Sequence, residues 1–362
     1  MNSLHPTYRV DKSYDWNYDN GPIFEDPLPK LQRGIPQIDF LGHKIFSRLG
    51  VPAGPLLNAR WIKLYAQLGF DVLVYKTVRT IERKSHPAPN CAYIDIAHPL
   101  SIQDSGKDLF VLDKEPQGKE KNNLTITNSF GVPSKSPKVW MADIEKANTF
   151  LGDGQVMIVS VNGTPGTGVS IENDYAACAA MAREAGAKMI EANYSCPNVA
   201  TGEGSIYADK HVSSLISETI RKAIGKNIPF FIKIGAFQHQ EDLEEVVRAN
   251  IPFVDGISGI NTMAMKVRHR DLTQGLPGEN RLRSGVCGWA IQEVAQSFTE
   301  KLNEFRKKLK KDFVIIGVGG IMTPQDIKKR ISEGADIAMT ATAAMWNPFL
   351  AQEFHKQYSS SV

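Results

Sequence analysis

The feature of this sequence that most restricts its fold is a regular alternation of short apolar runs with amphipathic segments, which starts at Gln155 and continues to the C-terminal helix. Each run has the length of a buried strand, and each following segment has helical periodicity. Two earlier runs, at 50–54 and 71–76, bring the predicted total to eight strand and helix pairs. Eight pairs are typical of a (β/α)8 TIM barrel, an α/β fold whose active site lies at the carboxyl ends of its strands. A doubly wound open sheet is the alternative, but no G-x-G-x-x-G follows the first strand.

The chain outside this alternation predicts two further parts. Residues 1–45 contain several prolines and no sustained period, which is typical of an irregular N-terminal arm. Residues 46–362 are then the barrel, with a loop-rich insertion at about 78–154 after the second strand. A loop of this length inside a compact domain is usually functional, often as a lid.

Composition excludes several classes of protein. The 362 residues are 42% hydrophobic and 22% charged, which is an ordinary globular composition and enough for a large core. No apolar stretch approaches the roughly 20 residues of a transmembrane helix, and the N-terminus lacks the apolar core of a signal peptide. We therefore expect a soluble, cytoplasmic protein without a membrane partner.

Charge and cysteine usage exclude two kinds of site. A net charge of +3 is too small to predict a nucleic-acid partner, and the basic run at 306–311 is interpreted as the solvated end of a helix. The four cysteines form no C-x-x-C pair and lack the density of a disulfide scaffold. They indicate a reducing compartment and no metal site.

A polar cluster follows the apolar run at 188–192. The segment Asn193-Tyr-Ser-Cys-Pro-Asn198 contains two amides and a thiol. Because Pro197 cannot continue a strand ladder, the segment is predicted to leave the sheet as a loop. Such a loop is either a reactive centre at a strand end or an ordinary turn in which Asn and Ser bond their own backbone.

Polar residues also lie at the ends of other predicted strands, where a barrel would bring them together. They are Lys76 and Thr77 at the second strand, Lys233 at the fifth, Asn261 and Thr262 at the sixth, and Gly317-Val-Gly-Gly320 at the seventh. Lysine is unfavourable within strands, so each lysine requires a partner at the strand end, a surface position being the alternative. Glycines after the seventh strand lie where TIM barrels commonly bind a phosphate.

Taken in order, these motifs resemble the flavin-dependent dihydroorotate dehydrogenases over about residues 46–350. The motifs are Lys76-Thr77, Asn128-Ser-Phe-Gly-Val-Pro133, Asn193-Tyr-Ser-Cys-Pro-Asn198, Lys233, Asn261-Thr262, Ser284-Gly-Val-Cys-Gly288 and Ile316-Gly-Val-Gly-Gly-Ile321. The family is an FMN-binding TIM barrel that oxidises dihydroorotate to orotate in de novo pyrimidine biosynthesis. A thiol rather than a serine at the position of the base, and no membrane-binding N-terminal helix, are similar to the soluble class 1 enzymes.

The resemblance implies roles for individual residues. For FMN it implies Ala53, Gly54, Lys76, Thr77, Asn193, Lys233, Gly288, Gly319, Gly320 and Thr342. For the pyrimidine substrate it implies Lys76, Asn128, Gly131, Asn193, Asn198, Asn261 and Thr262, with Cys196 as the catalytic base. The resemblance also implies a homodimer.

Departures from the family pattern leave other functions open. The chain differs at Ser134, Ala341 and Cys287, where the family usually has other residues. The alternatives are flavin chemistry on another dihydropyrimidine or enoate, a non-catalytic barrel that binds a phosphorylated ligand, and a tRNA-modifying flavin barrel. The electron acceptor could be fumarate, quinone or NAD through an iron-sulfur partner. Dihydropyrimidine dehydrogenases typically have His in place of Asn198, so Asn198 favours orotate.

Overall fold

The computed structural model describes residues 6–31, 33–116, 122–195, 206–279 and 281–358. Within these ranges the strands, in chain order, are β1 (Ile38–Phe40), β2 (His43–Ile45), β3 (Leu49–Val51), β4 (Val72–Val78), β5 (Cys91–Asp95), β6 (Asp108–Val111), β7 (Thr125–Asn128), β8 (Val156–Val161), β9 (Met189–Asn193), β10 (Phe230–Lys233), β11 (Gly256–Gly259), β12 (Met263–Arg268), β13 (Arg283–Gly288), β14 (Val314–Val318) and β15 (Ile337–Met339). The helices are α1 (Tyr14–Asn20), α2 (Ala59–Gln67), α3 (Pro137–Asn148), α4 (Ile171–Glu184), α5 (Lys210–Ile224), α6 (Gln240–Asn250), α7 (Gln292–Leu309), α8 (Pro324–Ser332), α9 (Thr342–Trp346) and α10 (Leu350–Tyr358).

Eight strands close into a parallel barrel, as predicted. Their order around the barrel is β3-β4-β8-β9-β10-β11-β14-β15, and every neighbouring pair is parallel. Helices α2, α4, α7 and α8 each pack against a barrel strand. Because all eight strands run in one direction, their carboxyl ends meet at one end of the barrel, which is where ligands bind in this architecture.

Helix α2 shows how local sequence sets these boundaries. Asn58 is its N-cap, and the Asn58 side chain accepts a hydrogen bond from the Arg60 backbone N–H. The helix ends before Gly69, which has a φ of +94°. Its inner face buries Trp61 completely, and truncating a buried Trp to Ala typically costs about 3–5 kcal/mol.

A short hairpin closes the amino end of the barrel. Strands β1 and β2 pair antiparallel, and Phe40 stacks on Phe231 with ring centroids 5.9 Å apart. Phe40 and Ile45 belong to the same apolar cluster as Val72, Val156 and other side chains near the starts of barrel strands. The hairpin therefore excludes water from the end of the barrel opposite the expected site.

The segment between β4 and β8 was expected to be rich in loops, but its described part contains three strands and an α-helix. Strands β5, β6 and β7 join β12 and β13 in a second, five-stranded sheet that closes on itself in the order β12-β13-β7-β5-β6. In this sheet Asn128 pairs with Gly285, a residue far away in the sequence. Pairing over such a separation leaves no local period, which is why the short strands were not predicted.

No helix in the described ranges is long and apolar enough to cross a membrane.

Candidate active site

A pocket lies at the carboxyl end of the barrel, between the barrel and the second sheet. It brings together most of the residues expected from the sequence, namely Ala53, Gly54, Lys76, Thr77, Asn128, Gly131, Asn193, Lys233, Asn261, Thr262 and Thr342. Gly288, Gly319 and Gly320 line a smaller cleft, which shares Asn261 and Thr342 with the pocket. Cys196 and Asn198, also expected in the site, lie outside the described residues.

A β-bulge positions Lys76 and Thr77. The sequence placed them after the second strand, but β4 continues to Val78, and its register with β8 shifts between Tyr75 and Val78. A bulge changes the direction of the side chains that follow it. The Thr77 hydroxyl lies 3.0 Å from the Ser160 hydroxyl, which ties the bulge to β8. Lys76 lines the pocket and is 9% exposed.

Lys233 is the last residue of β10 and is 2% exposed. Burial lowers the pKa of its ammonium group, while Glu191, and Cys287 once its thiol is ionised, act in the opposite direction. No hydrogen bond to the Lys233 side chain is present within the described part of the chain. A buried lysine that lines a pocket is suited to bind a ligand that carries or develops negative charge.

The side chain of Asn193 has a fixed orientation. Its Oδ1 accepts hydrogen bonds from the backbone N–H of Ser195 at 3.2 Å and from the Ser195 hydroxyl at 3.1 Å. The Asn193 backbone oxygen accepts a bond of 2.8 Å from the Tyr175 hydroxyl. Because the amide oxygen is turned to Ser195, the amide nitrogen is the donor that Asn193 offers to the pocket.

The second sheet supplies the opposite wall of the pocket. Asn128 ends β7, and its Nδ2 donates to Cys287 Sγ of β13 at 3.4 Å. Gly285 of β13 leaves room for Thr262, because an added Cβ would lie 2.5 Å from Thr262 Oγ1. Residues from β7, from β13 and from the turn between β11 and β12 are therefore packed into one wall.

A buried arginine, Arg281, stabilises this wall through hydrogen bonds to backbone oxygens. Arg281 is 2% exposed and donates hydrogen bonds to the backbone oxygens of Ser129 and Pro87. Burial and the Arg281 guanidinium lower the pKa of His86. The His86 ring packs against Gly131, because a Cβ added to Gly131 would lie 2.5 Å from His86 Nε2. Arg281 was not predicted from the sequence, because no local pattern connects it to the segment after β7.

Two glycines of the smaller cleft are required by close backbone contacts. Gly320 has a φ of +70°, and an added Cβ would lie 2.2 Å from the Cα of Gln292, the first residue of α7. Gly288 has a φ of +89°, and its Cβ would lie 2.3 Å from the Leu124 carbonyl oxygen. Only glycine fits both the left-handed conformation and the space. The cleft is therefore a close-packed backbone cradle next to the start of a long helix.

Several pocket residues were missed by sequence reasoning. Tyr8 and Tyr14 come from the N-terminal region and line the pocket with Cys91 and Cys287. Burial raises the pKa of Cys287 to about 11, although the Thr342 hydroxyl and the Asn128 amide donate to its sulfur. The thiol of Cys287 is therefore protonated at neutral pH. Of Tyr8, Tyr14, Cys91 and Cys287, only Cys287 had been noted from the sequence, as a departure from the family pattern.

The donors of the pocket are amides, hydroxyls and ammonium groups. No group of His, Cys, Asp and Glu side chains that could hold a metal ion occurs among the residues the structure describes. Amides can both donate and accept, and lysines add positive charge. This set suits an organic ligand with several polar edges and an anionic group.

Comparison with known proteins gives three consistent matches. The family model of dihydroorotate dehydrogenase matches residues 37–361. A dihydroorotate dehydrogenase of Dictyostelium discoideum is 40% identical over 360 residues, covering 97% of this chain and 96% of that protein. The catalytic subunit of a dihydroorotate dehydrogenase B (NAD(+)) of Staphylococcus carnosus is 30% identical over 186 residues, covering 51% of this chain and 57% of that protein.

A solved structure has the same fold. The crystal structure of DHODH from Eimeria tenella in complex with ferulenol superposes with a TM-score of 0.68 and 18% identity, covering 88% of this chain and 82% of that one. The barrel and its pocket define an enzyme of the TIM-barrel class. The chain belongs to the dihydroorotate dehydrogenase family.

Proposed function

We propose that this protein is an FMN-dependent oxidoreductase that oxidises dihydroorotate to orotate in de novo pyrimidine biosynthesis. The observation that carries this proposal is the combination of a buried cation, Lys233, and a glycine cradle in two connected clefts. The cation can stabilise negative charge that develops on an isoalloxazine ring. The backbone N–H groups of the cradle can bind the phosphate of the same cofactor. The match to a family relative over nearly the whole chain supports the same substrate.

The residues present fit FMN. Gly288, Gly319 and Gly320 line this cleft. An added Cβ would collide with backbone at Gly288 and Gly320 and with the side chains of Ala295 and Ile291 at Gly319, so the cleft wall has to be bare backbone, which suits the phosphate end. We propose that Thr342 binds this end too, while Lys76, Asn193 and Lys233 contact the ring, with Ala53, Gly54 and Thr77 at its edge. When bound, FMN supplies the hydride acceptor for the reaction.

We propose that the pyrimidine lies between the ring site and the second sheet. The substrate has carbonyl and N–H groups and a carboxylate, so it needs donors and acceptors on several edges. Asn128, Asn193 and Asn261 offer amides to the pocket, with Asn198 assigned from the sequence. Lys76 offers a cation to the carboxylate, and Gly131 and Thr262 complete the wall.

We propose that Cys196 takes a proton from a substrate carbon. Oxidation of a dihydropyrimidine removes a proton from one carbon while hydride leaves the neighbouring carbon. A base must therefore reach the face of the substrate opposite the flavin. Cys196 follows Asn193 by three residues, and a thiol with an ordinary pKa near 8.5 needs only a modest shift to be reactive at neutral pH.

The remaining features of the assembly are proposals from the family resemblance. We propose a cytoplasmic homodimer in which residues 1–45 form an arm and the segment at 78–154 covers the site. Tyr8 and Tyr14 in the pocket wall, and Asn128 at the end of β7, support a covering role for the first part of the arm and for the segment at 78–154, whereas β1 and β2 of the arm lie at the opposite end of the barrel. Light scattering of the purified protein would give the oligomeric state.

Orotate binding tests the assignment of the substrate. Alanine at Asn128, Asn193, Asn198 or Asn261, one at a time, should each weaken orotate binding by about 1–3 kcal/mol, because a buried partner loses its hydrogen bond. Titration of the flavin absorbance with orotate gives the dissociation constants. Asn250→Ala is a control for the loss of a buried amide, since Asn250 bonds Ser213 and Ser217 and none of the three lines the pocket. If all four site variants bound orotate as tightly as the unsubstituted protein, the ligand would be a different one.

A further inference from the structure

The barrel interior below the pocket contains an acidic side chain to which the proposed site gives no role. Glu191 lies in β9, two residues before Asn193, and is 0% exposed. In register with it are Ser160 of β8 and Phe231 of β10. Met189 and Phe231 belong to the apolar cluster inside the barrel. Because side chains alternate along a strand, the Glu191 carboxyl group points into the barrel as well.

The carboxylate of Glu191 has no hydrogen-bond partner among the described residues, at either oxygen. Burying an ionised carboxylate without compensation is costly. The adjacent strand ends in a buried cation, because Lys233 is two residues beyond Phe231 and faces the same side of the sheet. Opposite charges on one inner surface compensate each other in a medium of low dielectric constant.

The groups that face Lys233 come from three other strands. Glu191 of β9 raises the pKa of Lys233, Cys287 of β13 does so only once its thiol is ionised, and Lys76 of β4 lines the same pocket. Glu191 is the one carboxylate in the described part of the chain that acts on Lys233. Because burial favours the neutral amine, a lysine here without that carboxylate would release its proton at a lower pH.

We propose that Glu191 is a positioning residue that keeps Lys233 charged and directed to the pocket. The catalytic meaning of this pair depends on the proposed flavin function, since the cation would stabilise negative charge that arrives with the hydride. The electrostatic effect of Glu191 on Lys233 does not require a bound flavin. The two ideas can therefore fail separately.

The protonation of Lys233 can be measured directly by its rate of acetylation with acetic anhydride as a function of pH, because only the neutral amine reacts. Mass spectrometry of the peptide that contains Lys233 gives this rate, and the exposed Lys222 serves as an internal reference. In Glu191→Gln the reactivity curve should move to lower pH. At a fixed pH below the midpoint, Lys233 should then react about tenfold faster, which corresponds to about one pKa unit.

Two variants separate charge from packing. Glu191→Asp keeps the negative charge and should retain the reactivity of the unsubstituted protein more closely than Glu191→Gln does. Ser258→Ala is the matched control, because Ser258 is in register with Lys233 and its buried hydroxyl has no partner among the described residues. Loss of that neutral group should leave the Lys233 curve in place. Equal curves for Glu191→Gln and the unsubstituted protein would overturn the proposal, as would a shift in Ser258→Ala of the same size.

A folding failure would also be informative. If Glu191→Gln does not fold, the double variant Glu191→Gln/Lys233→Met should restore soluble protein. The double variant removes both charges, so the Lys233 ammonium group is no longer buried without a counter-charge. If the double variant also fails to fold, Glu191 is needed for packing and the proposal is wrong.

The flavin provides a second measurement. In flavin-loaded protein, the rate of reduction by dihydroorotate should fall as pH rises through the pKa of Lys233. That fall should occur at lower pH in Glu191→Gln. A protein that binds no flavin would refute the proposed function but leave the acetylation result intact. If the flavin-reduction rate of flavin-loaded Glu191→Gln fell at the same pH as that of the unsubstituted protein, the role of Glu191 would be refuted while the proposed function would stand.

Discussion

At the scale of single residues, the central question is which side chain takes the proton from the substrate carbon, and Cys196 is our candidate for this base. Cys196→Ala should retain FMN and orotate binding but slow flavin reduction by dihydroorotate by a factor on the order of 10² or more, which is typical of losing a general base. Cys196→Ser should retain some activity, with its optimum at higher pH, because a hydroxyl loses its proton less readily than a thiol. Stopped-flow absorbance across a pH series measures both.

The control is another cysteine of the barrel. Cys178 lies in α4, is fully buried, and burial raises its pKa to about 12. Cys178→Ala should therefore lower the melting temperature at most and leave the reduction rate unchanged. A Cys196→Ala protein that reduces its flavin at the unsubstituted rate at every pH would place the base elsewhere.

Single residues were also where the sequence was most informative. Lys76, Asn193 and Lys233 could be predicted to line the pocket because each lies at the end of an apolar run in the sequence. Arg281 and Glu191 could not, for different reasons. Arg281 donates a hydrogen bond to Ser129, which is distant in the sequence. Glu191 lies inside an apolar strand, and the sequence alone does not show that its charge acts on Lys233 of the next strand.

At the scale of structural elements, the barrel and the second sheet differ in how far they could be predicted. Barrel strands are buried on both faces, so most are largely apolar runs, and most are followed directly by a helix. The second sheet is built from short strands whose partners are distant, such as β7 with β13. The bulge at 75–78 was also missed, because only the register with β8 defines it.

The connection between β14 and α8 gives a prediction at this scale. Gly320→Ala would place a Cβ 2.2 Å from the Cα of Gln292 and force a left-handed alanine, so the backbone of the cradle must move. We expect a lower melting temperature without FMN and at least a tenfold weaker affinity for FMN, which corresponds to about 1.4 kcal/mol. Flavin fluorescence on release measures the affinity.

The matched control has the same backbone conformation but open space. Gly225 follows α5 with a φ of +78°, and a Cβ there would meet nothing within 4 Å. Gly225→Ala should therefore cost some stability but leave FMN affinity unchanged. If Gly320→Ala bound FMN normally while Gly225→Ala did not, the phosphate would not lie in the cradle.

At the scale of the whole molecule, the pocket is formed where two closed sheets and the N-terminal region meet. The parallel barrel provides the lysines, the second sheet provides Asn128, and the N-terminal region provides Tyr8 and Tyr14. The barrel followed from periodicity alone, whereas this enclosure depends on contacts between distant parts of the chain. The sequence therefore predicted which residues line the pocket better than it predicted what covers it.

The measurement that tests the central claim most directly is anaerobic mixing of the flavin-loaded protein with dihydroorotate, followed by absorbance in the flavin bands. We predict rapid bleaching with one orotate formed per flavin, because the hydride and the proton leave the same substrate molecule. The result that would contradict the claim is a flavin that dithionite reduces but that stays oxidised with saturating dihydroorotate.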